Sequence, residues 1–555
     1  MVNLLSTLLI ALFITIVMIP FFRGLAYKVN AVDVPDERKV HIHPMARTGG
    51  LAMAVGTLVP LILWSPPDPF LRVLLLAVSI IVGAGFIDDL VNLGPKTKLG
   101  VQLLAAGVIT LYGGVKIQYL GALLPEGWLL PDWFSIPLTM IVVTGVTNAI
   151  NLADGLDGLA GGISIIVFMA LGYLSFMVGN PVVTLISAAV VGAIFGFLRF
   201  NTYPATIFMG DAGSQMLGFI AVVLAIQLTQ NNIALSPVLP FLLLGFPILD
   251  TLTVMLARIY HGRSPFSADK NHFHHKLMRL GLYHSEAVLI IYSLQVVLVL
   301  TAYKLRYYSD WMILGGYLVV AFLITLFFFL SAHLQWHIRH RPEGEFNLLQ
   351  KRLAELDKLT LMLKIIFRLL QANFIVVLLI IIIQAPTVPF WLSWTALGLA
   401  VILLLSLFIK SSAKRYNLVL RLAVYLTMPV LIYNGAVSEI TSVIWWKSSV
   451  FYSNTAYFSL ILLSLLLLKF TRRSGYKSTP LDFLILGVAL FVPVITRQSA
   501  VGLSTGMVAV KIIALFFTFE VIVEESRKQN RWLGAAVFGS LLLVGLQGIW
   551  LKFLS

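Results

Sequence analysis

Apolar runs of about 17–22 residues recur along the whole chain, each long enough to cross a bilayer, and they restrict the fold more than any other feature. In lipid every backbone polar group must be satisfied within the segment, so runs of this length read as helices. Of the 555 residues, 59% are hydrophobic and only 11% are charged, where a soluble domain would carry about a quarter charged. A soluble fold is excluded by composition. Spans are expected near 3–22, 49–64, 70–87, 99–113, 134–150, 159–178, 182–198, 212–229, 237–257, 285–303 and 311–332. A second set is expected near 366–384, 389–409, 418–434, 450–468, 481–496, 502–522 and 532–553. The fold class is therefore an all-α polytopic membrane protein with about 18 transmembrane helices, eleven before residue 333 and about seven after it. The first run has neither a basic leader nor a small-residue cleavage site, so it reads as a retained span.

Basic residues set the expected orientation. With the N-terminus outside, 31 of the 39 Lys and Arg fall in cytoplasmic loops or at cytoplasmic helix ends. Seven fall outside and Lys511 lies within a span. All ten histidines also fall on the cytoplasmic side. The net charge of +15 then describes an inner face meeting anionic lipid head groups. It does not indicate nucleic acid, because no basic and aromatic soluble domain exists. With no Cys, thiolate metal sites and disulfides are excluded.

The chain divides by content. Residues 1–332 carry polar islands rich in Gly, Asn, Asp and His between their spans. Residues 333–371 place Leu349, Leu353, Leu356, Leu359 and Leu363 at helical spacing among charged residues, which reads as a cytoplasmic amphipathic connector. Residues 372–555 form a membrane domain with few ionisable groups, where Asp482, Lys511 and Glu520 form no cluster in sequence. No internal repeat relates the halves, which argues against a transporter built from repeated units.

Five islands carry the chemistry, all on the expected cytoplasmic side. The third, TNAINLADGLDGLAGG at 147–162, sets Asn148, Asn151, Asp154 and Asp157 three residues apart among glycines, along one side of a helical turn. Ionisable groups beside lipid are costly and mark functional or hydrated sites. The first island, 33–50, holds Arg38, Lys39, His41, His43 and Arg47; it reads as positive-inside anchoring or as a cationic loop gripping a phosphate. In the second, 85–100, adjacent Asp88 and Asp89 end a span and oppose its dipole, so a cation or the nearby Lys96 and Lys98 should compensate. In the fourth, 200–219, Asp211 opens a span whose free N–H groups suit phosphate; Asp211 as a plain N-cap is the alternative. The fifth, 257–282, gathers His272, His274 and His275 with Arg258, Arg263, Asp269 and Lys270. Zinc is disfavoured, because the histidines lack the i, i+4 spacing of one helix face and the neighbouring carboxylates suit a harder ion. Asp250, buried two turns inside its span, should pair with another polar group or face a hydrated cavity. Carboxylates and Asn without Cys suit Mg²⁺ with a phosphate substrate.

At this point the islands resemble those of the polyprenyl-phosphate N-acetylhexosamine-1-phosphate transferases (the MraY, WecA and TagO type). The matching elements, in the family's order, are RKVHIHPMARTGG at 38–50, GFIDD at 85–89, the run at 147–162, FMGDAGS at 208–214 and SADKNHFHHKL at 267–277. The likeness covers roughly residues 1–332, which would be the transferase core of eleven spans, leaving 372–555 without a role. It implies transfer of a sugar-1-phosphate from a UDP-N-acetylhexosamine to undecaprenyl phosphate with release of UMP, starting a cell-envelope glycan at the inner (plasma) membrane. Mg²⁺ is the implied cofactor, with Mn²⁺ as a substitute; a homodimer stays open. By the resemblance, Asp211 and Asn151 would hold the metal. Asp88 and Asp89 would handle the lipid phosphate or the metal, and Asp154 would join the catalytic shell. Asp157, Asn201 and Phe208 would sit near the uridine. His272, His274 and His275 would meet the diphosphate with Arg47, and Lys96 would bind substrate. The muramyl-pentapeptide branch carries three contiguous histidines; here the run is interrupted, NHFHH at 271–275, which favours UDP-GlcNAc as donor.

Overall fold

The computed structural model describes residues 2–33, 44–125, 127–232, 234–264, 272–334, 336, 357–385, 388–408, 413–441, 447–470, 500–525 and 531–554. Arg38, Lys39, His41, His43, Asp269 and Lys270, the expected span 481–496 and most of the expected connector lie outside the described residues. The chain falls into two compact units, Met1–His340 and Arg341–Ser555.

The first unit is helical apart from two-residue strands, β1 (Val32–Asp33) and β2 (Met45–Ala46), paired antiparallel. Its helices are α1 (Val2–Lys28), α2 (Gly49–Trp64), α3 (Pro69–Val91), α4 (Pro95–Leu111), α5 (Asp132–Ala153), α6 (Leu159–Met177) and α7 (Pro181–Asn201). They continue as α8 (Gly210–Gln230), α9 (Pro240–Leu243), α10 (Gly245–Tyr260), α11 (Phe273–Arg279), α12 (His284–Leu305) and α13 (Asp310–His333). Local chemistry explains the starts. Asp68 accepts from the Leu71 N–H at 3.0 Å ahead of Pro69, and Asn180 accepts from the Val183 N–H at 3.1 Å ahead of Pro181, each a side-chain cap followed by proline at the first helical position.

Helix α8 is the axis of this unit. Of its apolar window 94% is buried inside the protein, against 17% for α13. Small residues permit that enclosure. A methyl added at Gly85 of α3 would stand 2.6 Å from the Ala212 Cα, and one at Gly218 would stand 2.8 Å from the Thr147 Cα. Helices α3 and α5 therefore lie directly on α8, which brings their polar ends to its N-terminus.

One expected span differs. The run 237–257 is broken at Leu244, between α9 and α10. Gln295 of α12, fully buried, takes over the interrupted backbone bonds: it donates to the Leu243 carbonyl at 2.7 Å and accepts from the Phe246 N–H at 3.1 Å. Tyr317 donates to the Gly245 carbonyl at 2.9 Å. Broken helices persist in membranes only where such partners exist, and Pro240, Gly245 and Pro247 favour the break.

The second unit contains α14 (Asp357–Gln384), α15 (Phe390–Phe408), α16 (Ala413–Thr441), α17 (Lys447–Phe470), α18 (Ala500–Glu525) and α19 (Arg531–Leu554). Helix α14 runs unbroken across residue 371, so the end of the expected connector and the following span are one helix. Phe374, Tyr416 and Phe519 sit at the centre of this unit's core. Glu520 has partners after all: Arg421 donates to both its oxygens at 2.8 and 2.7 Å, and the Tyr425 hydroxyl also donates to it. Ninety-nine residues separate the pair, so no local spacing could reveal it. Among the described residues, 11 helices are long and apolar enough to cross a membrane. The protein is an all-α, multi-pass membrane protein; the count of 18 spans goes beyond what these helices establish.

Candidate functional site

Two helix ends meet at the centre of the site. Helix α3 stops where Asn92 adopts a left-handed conformation, φ 50°, and the Leu93 N–H then donates to Asp88 Oδ1 at 2.7 Å. Helix α8 starts from Gly210 at φ +71°, where a side chain would collide with the Arg47 carbonyl and the Asp89 carboxylate. Asp89 caps this start, accepting from the Asp211 N–H at 3.0 Å and the Ala212 N–H at 3.3 Å. Two of the N–H groups expected to receive a phosphate are thus taken by Asp89, and the capping carboxylate is Asp89 rather than Asp211. Asp211 stands in the first turn, its carboxylate met by Lys98 and Asn151.

Lys98, from the first turn of α4, joins the two acidic positions. Its ammonium forms an ion pair with Asp88 and lies 3.1 Å from Asp211 Oδ2. Desolvation works against that charge, yet Asp88 and Asp211 outweigh it and raise the lysine pKa above its ordinary value. Lys98 compensates Asp88, and Asp89 is answered by the N–H groups that open α8. Lys96 is exposed on the same turn.

The third island supplies the opposite wall. Asn151, in the last turn of α5, hydrogen-bonds Asp211 and accepts from the Ser214 hydroxyl. Asn148 braces the helix packing: its amide pairs reciprocally with Gln102, at 2.7 and 3.1 Å, and Gln102 also donates to Gln215 at 3.1 Å. Asp154 ends α5. Desolvation, then the charges of Asp211 and Asp157, push its carboxyl up to about 7, so it can hold or release a proton near neutrality.

The following turn is tied to the 201–207 loop. Asp157 Oδ2 accepts from the Ala205 N–H at 2.9 Å. Asn201, buried, accepts from the Gly158 N–H and donates to the Ile207 carbonyl, both at 2.9 Å. Asp157 and Asn201 therefore shape this rim by holding its backbone. Tyr203 of the loop stacks on His284 with ring centroids 4.6 Å apart. Phe208 is half-buried, and its backbone joins Ala46 at 2.8 Å and Gly49 at 3.0 Å. Arg47 pairs with Asp33 across the short strands.

The histidines reach the same place from α11. His274 is buried with its ring against Gly155, where any side chain would displace it. His275 lies beside it, rings 4.2 Å apart. Desolvation, then His275, lower the His274 pKa to about 4. His274 is thus neutral at pH 7 and offers a ligand one N–H or one lone pair, not a charge. His272 is oriented by Asp250, which accepts from Nδ1 at 3.0 Å and, through its other oxygen, from the Phe273 N–H at 2.7 Å. With Nδ1 donating, Nε2 is the nitrogen left for other work. The pairing expected of Asp250 is with His272, and sequence spacing does not show that it serves this site.

The family model for glycosyl transferase family 4 matches residues 71–229. A probable undecaprenyl-phosphate N-acetylglucosaminyl 1-phosphate transferase of Bacillus subtilis is 33% identical over 331 residues, 59% of this chain and 90% of that protein. The chain belongs to this family. Also similar are the undecaprenyl-phosphate alpha-N-acetylglucosaminyl 1-phosphate transferase of Escherichia coli K12 and a decaprenyl-phosphate N-acetylglucosaminephosphotransferase of Mycolicibacterium smegmatis. The first is 30% identical over 57% of this chain and 89% of its own length; the second is 34% identical over 55% and 83%. As a family 4 member the protein is a membrane-bound phosphoglycosyltransferase. The matched region contains Asp88, Asp89, Asn151, Asp154 and Asp211.

Among the described residues no three or more His, Asp or Glu side chains converge as an all-protein metal cage. Mg²⁺ does not need one, since it binds through one or two carboxylates plus water and phosphate oxygens. Asp211 with Asn151 fits that donor set, and the ammonium of Lys98 already shows that the Asp88–Asp211 gap accepts a cation.

Proposed function

We propose that the protein transfers N-acetylglucosamine-1-phosphate from UDP-N-acetylglucosamine to undecaprenyl phosphate, releasing UMP. The observation that carries this reading is the convergence of Asp88, Asp211, Asn151 and Lys98 at helix ends, where a soluble nucleotide and a lipid phosphate can meet. The relatives' names support the acceptor and the sugar, and the interrupted His run supports the donor. The site lies on the cytoplasmic face, with the N-terminus outside, and the product starts a cell-envelope glycan.

An oxygen of the lipid phosphate attacks the sugar-bearing phosphorus, forming one P–O bond as the bond to the UMP phosphate breaks. A phosphate monoester is mostly dianionic at neutral pH, so attack needs positioning more than a strong base. Asp154 can accept the last proton. Lys98 offsets negative charge at the centre, neutral His274 donates its one N–H to a diphosphate oxygen, and Asp250 holds His272 so that its Nε2 lone pair can accept a hydrogen bond. Asp211 and Asn151 would hold Mg²⁺, with Mn²⁺ as a substitute. When bound, the ion screens the phosphate charge that otherwise repels the nucleophile.

The test is a donor screen with radiolabelled UDP-sugars, undecaprenyl phosphate and the purified protein. UDP-N-acetylglucosamine should give a labelled lipid and stoichiometric UMP, dependent on divalent metal. Faster turnover of UDP-MurNAc-pentapeptide would move the protein to the peptidoglycan branch.

A further inference from the structure

The ammonium of Lys98 sits where the proposed site needs its metal. It pairs with Asp88 from α3 and lies 3.1 Å from Asp211 Oδ2 of α8. Both oxygens of Asp89 are already turned to the start of α8, and Asp88 Oδ1 is turned to the Leu93 N–H. Lys98 holds Asp88 Oδ2 and Asp211 Oδ2, one oxygen from each side of the gap. A lysine side chain is a compact point charge on a flexible four-carbon stem, so it can leave one partner set for another. Its side chain is about one third exposed, which leaves an exit path. Two cations cannot share one carboxylate gap without strong repulsion.

We propose that Lys98 and a divalent cation are alternative occupants of the Asp88–Asp211 gap. This rests on the reading of Asp211 as a metal residue. Without the metal the single ammonium offsets part of the charge of the two carboxylates and bridges α3 to α8. Metal entry displaces it, and the freed ammonium turns to the open side of the site, where phosphate oxygens become its partners. Lys98 is then a positioning residue with two stations, and metal loading and phosphate binding are linked through it.

The test uses the full-length protein in detergent with Mn²⁺ alone, no substrate present. Mn²⁺ affinity is read by electron paramagnetic resonance. Lys98→Met keeps the stem and removes the charge, so it should bind Mn²⁺ about tenfold more tightly than the wild type. In the wild type, saturating Mn²⁺ should raise acylation of Lys98 by an amine reagent, read by mass spectrometry; this needs no variant to fold. Equal or weaker Mn²⁺ binding by folded Lys98→Met, or Lys98 reactivity indifferent to Mn²⁺, overturns the proposal while leaving the metal site standing. Asp211→Asn separates the two ideas. Loss of Mn²⁺ binding in Asp211→Asn supports the metal reading, and unchanged binding overturns that reading and the proposal with it.

Discussion

The two units treat their charges in opposite ways. In the first, Asp88, Asp89, Asp154, Asp211 and Lys98 gather at helix ends, with Lys98 bridging Asp88 and Asp211 and Asp89 capping α8. In the second, Glu520 receives Arg421 and Tyr425 on the flank of a helix pair, and Asn373 donates to the Ala456 carbonyl at 3.2 Å and to Ser459 Oγ at 2.7 Å. Those polar groups bind helix to helix, as they do in membrane bundles generally. The composition of both units is apolar. What separates the two is where the ionisable groups stand: at converging helix ends in the first unit, on a helix flank in the second.

Substitutions should divide along that line. Asp211→Ala should give the largest effect, a loss of turnover of about a thousandfold or more that excess Mg²⁺ does not restore. Retained turnover in purified membranes would return Asp211 to a structural role and erase the contrast. Asp250→Asn comes next. It keeps the size but weakens the hold on His272 Nδ1, so turnover should fall about 10- to 100-fold with little change in thermal stability. A change in stability alone would make Asp250 a fastening like Glu520.

The third effect depends on pH. His274 has a folded-state pKa near 4 against the ordinary value of 6.5. Above about pH 6.5 both states are neutral there and the burial of His274 costs nothing in protons. Between about 6.5 and 4 the unfolded chain takes up a proton that the folded one refuses, so stability falls as pH drops through that window. Asp154, raised to about 7, contributes the opposite slope over this window, so the readout is the difference between wild type and His274→Phe: in thermal melts from pH 7 to 5 the wild type should lose stability relative to the variant as pH falls. Glu520→Gln should produce the smallest functional effect: about 1–2 kcal/mol of stability, since the pair is only partly buried, with transferase activity intact. Lost activity with an unchanged melting profile would tie the second unit to the reaction.

Much of this was legible in the sequence, and the failures have physical causes. Hydropathy located α2 at 49–64 and the starts of most other helices, because lipid imposes one length and one polarity on each span. The islands around Asp88, Asn151, Asp154 and Asp211 stood out because charge beside lipid is costly. The break at Leu244 did not show, because Gln295 of another helix makes it tolerable. Lys98 could not be told from Lys96 without knowing the direction of α4's first turn. The pairs Asp250–His272 and Arg421–Glu520 were hidden by separations of 22 and 99 residues. Periodicity reports which face of a helix is apolar, whereas tertiary contact decides which polar group answers which.

The enclosure of α8 has a consequence for how the protein lives in its membrane. A bilayer that thickens or thins exerts its mismatch on helices it touches, by tilting or kinking them. Helix α13 offers most of its apolar window to that pressure, and α8 offers almost none. The outer helices therefore act as fenders. Asp211 rides on an inner post, and its height relative to Asp88 and Asn151 is fixed by glycine contacts with α3 and α5. Growth temperature and acyl-chain length can change the posture of the rim without altering the spacing at the reaction centre.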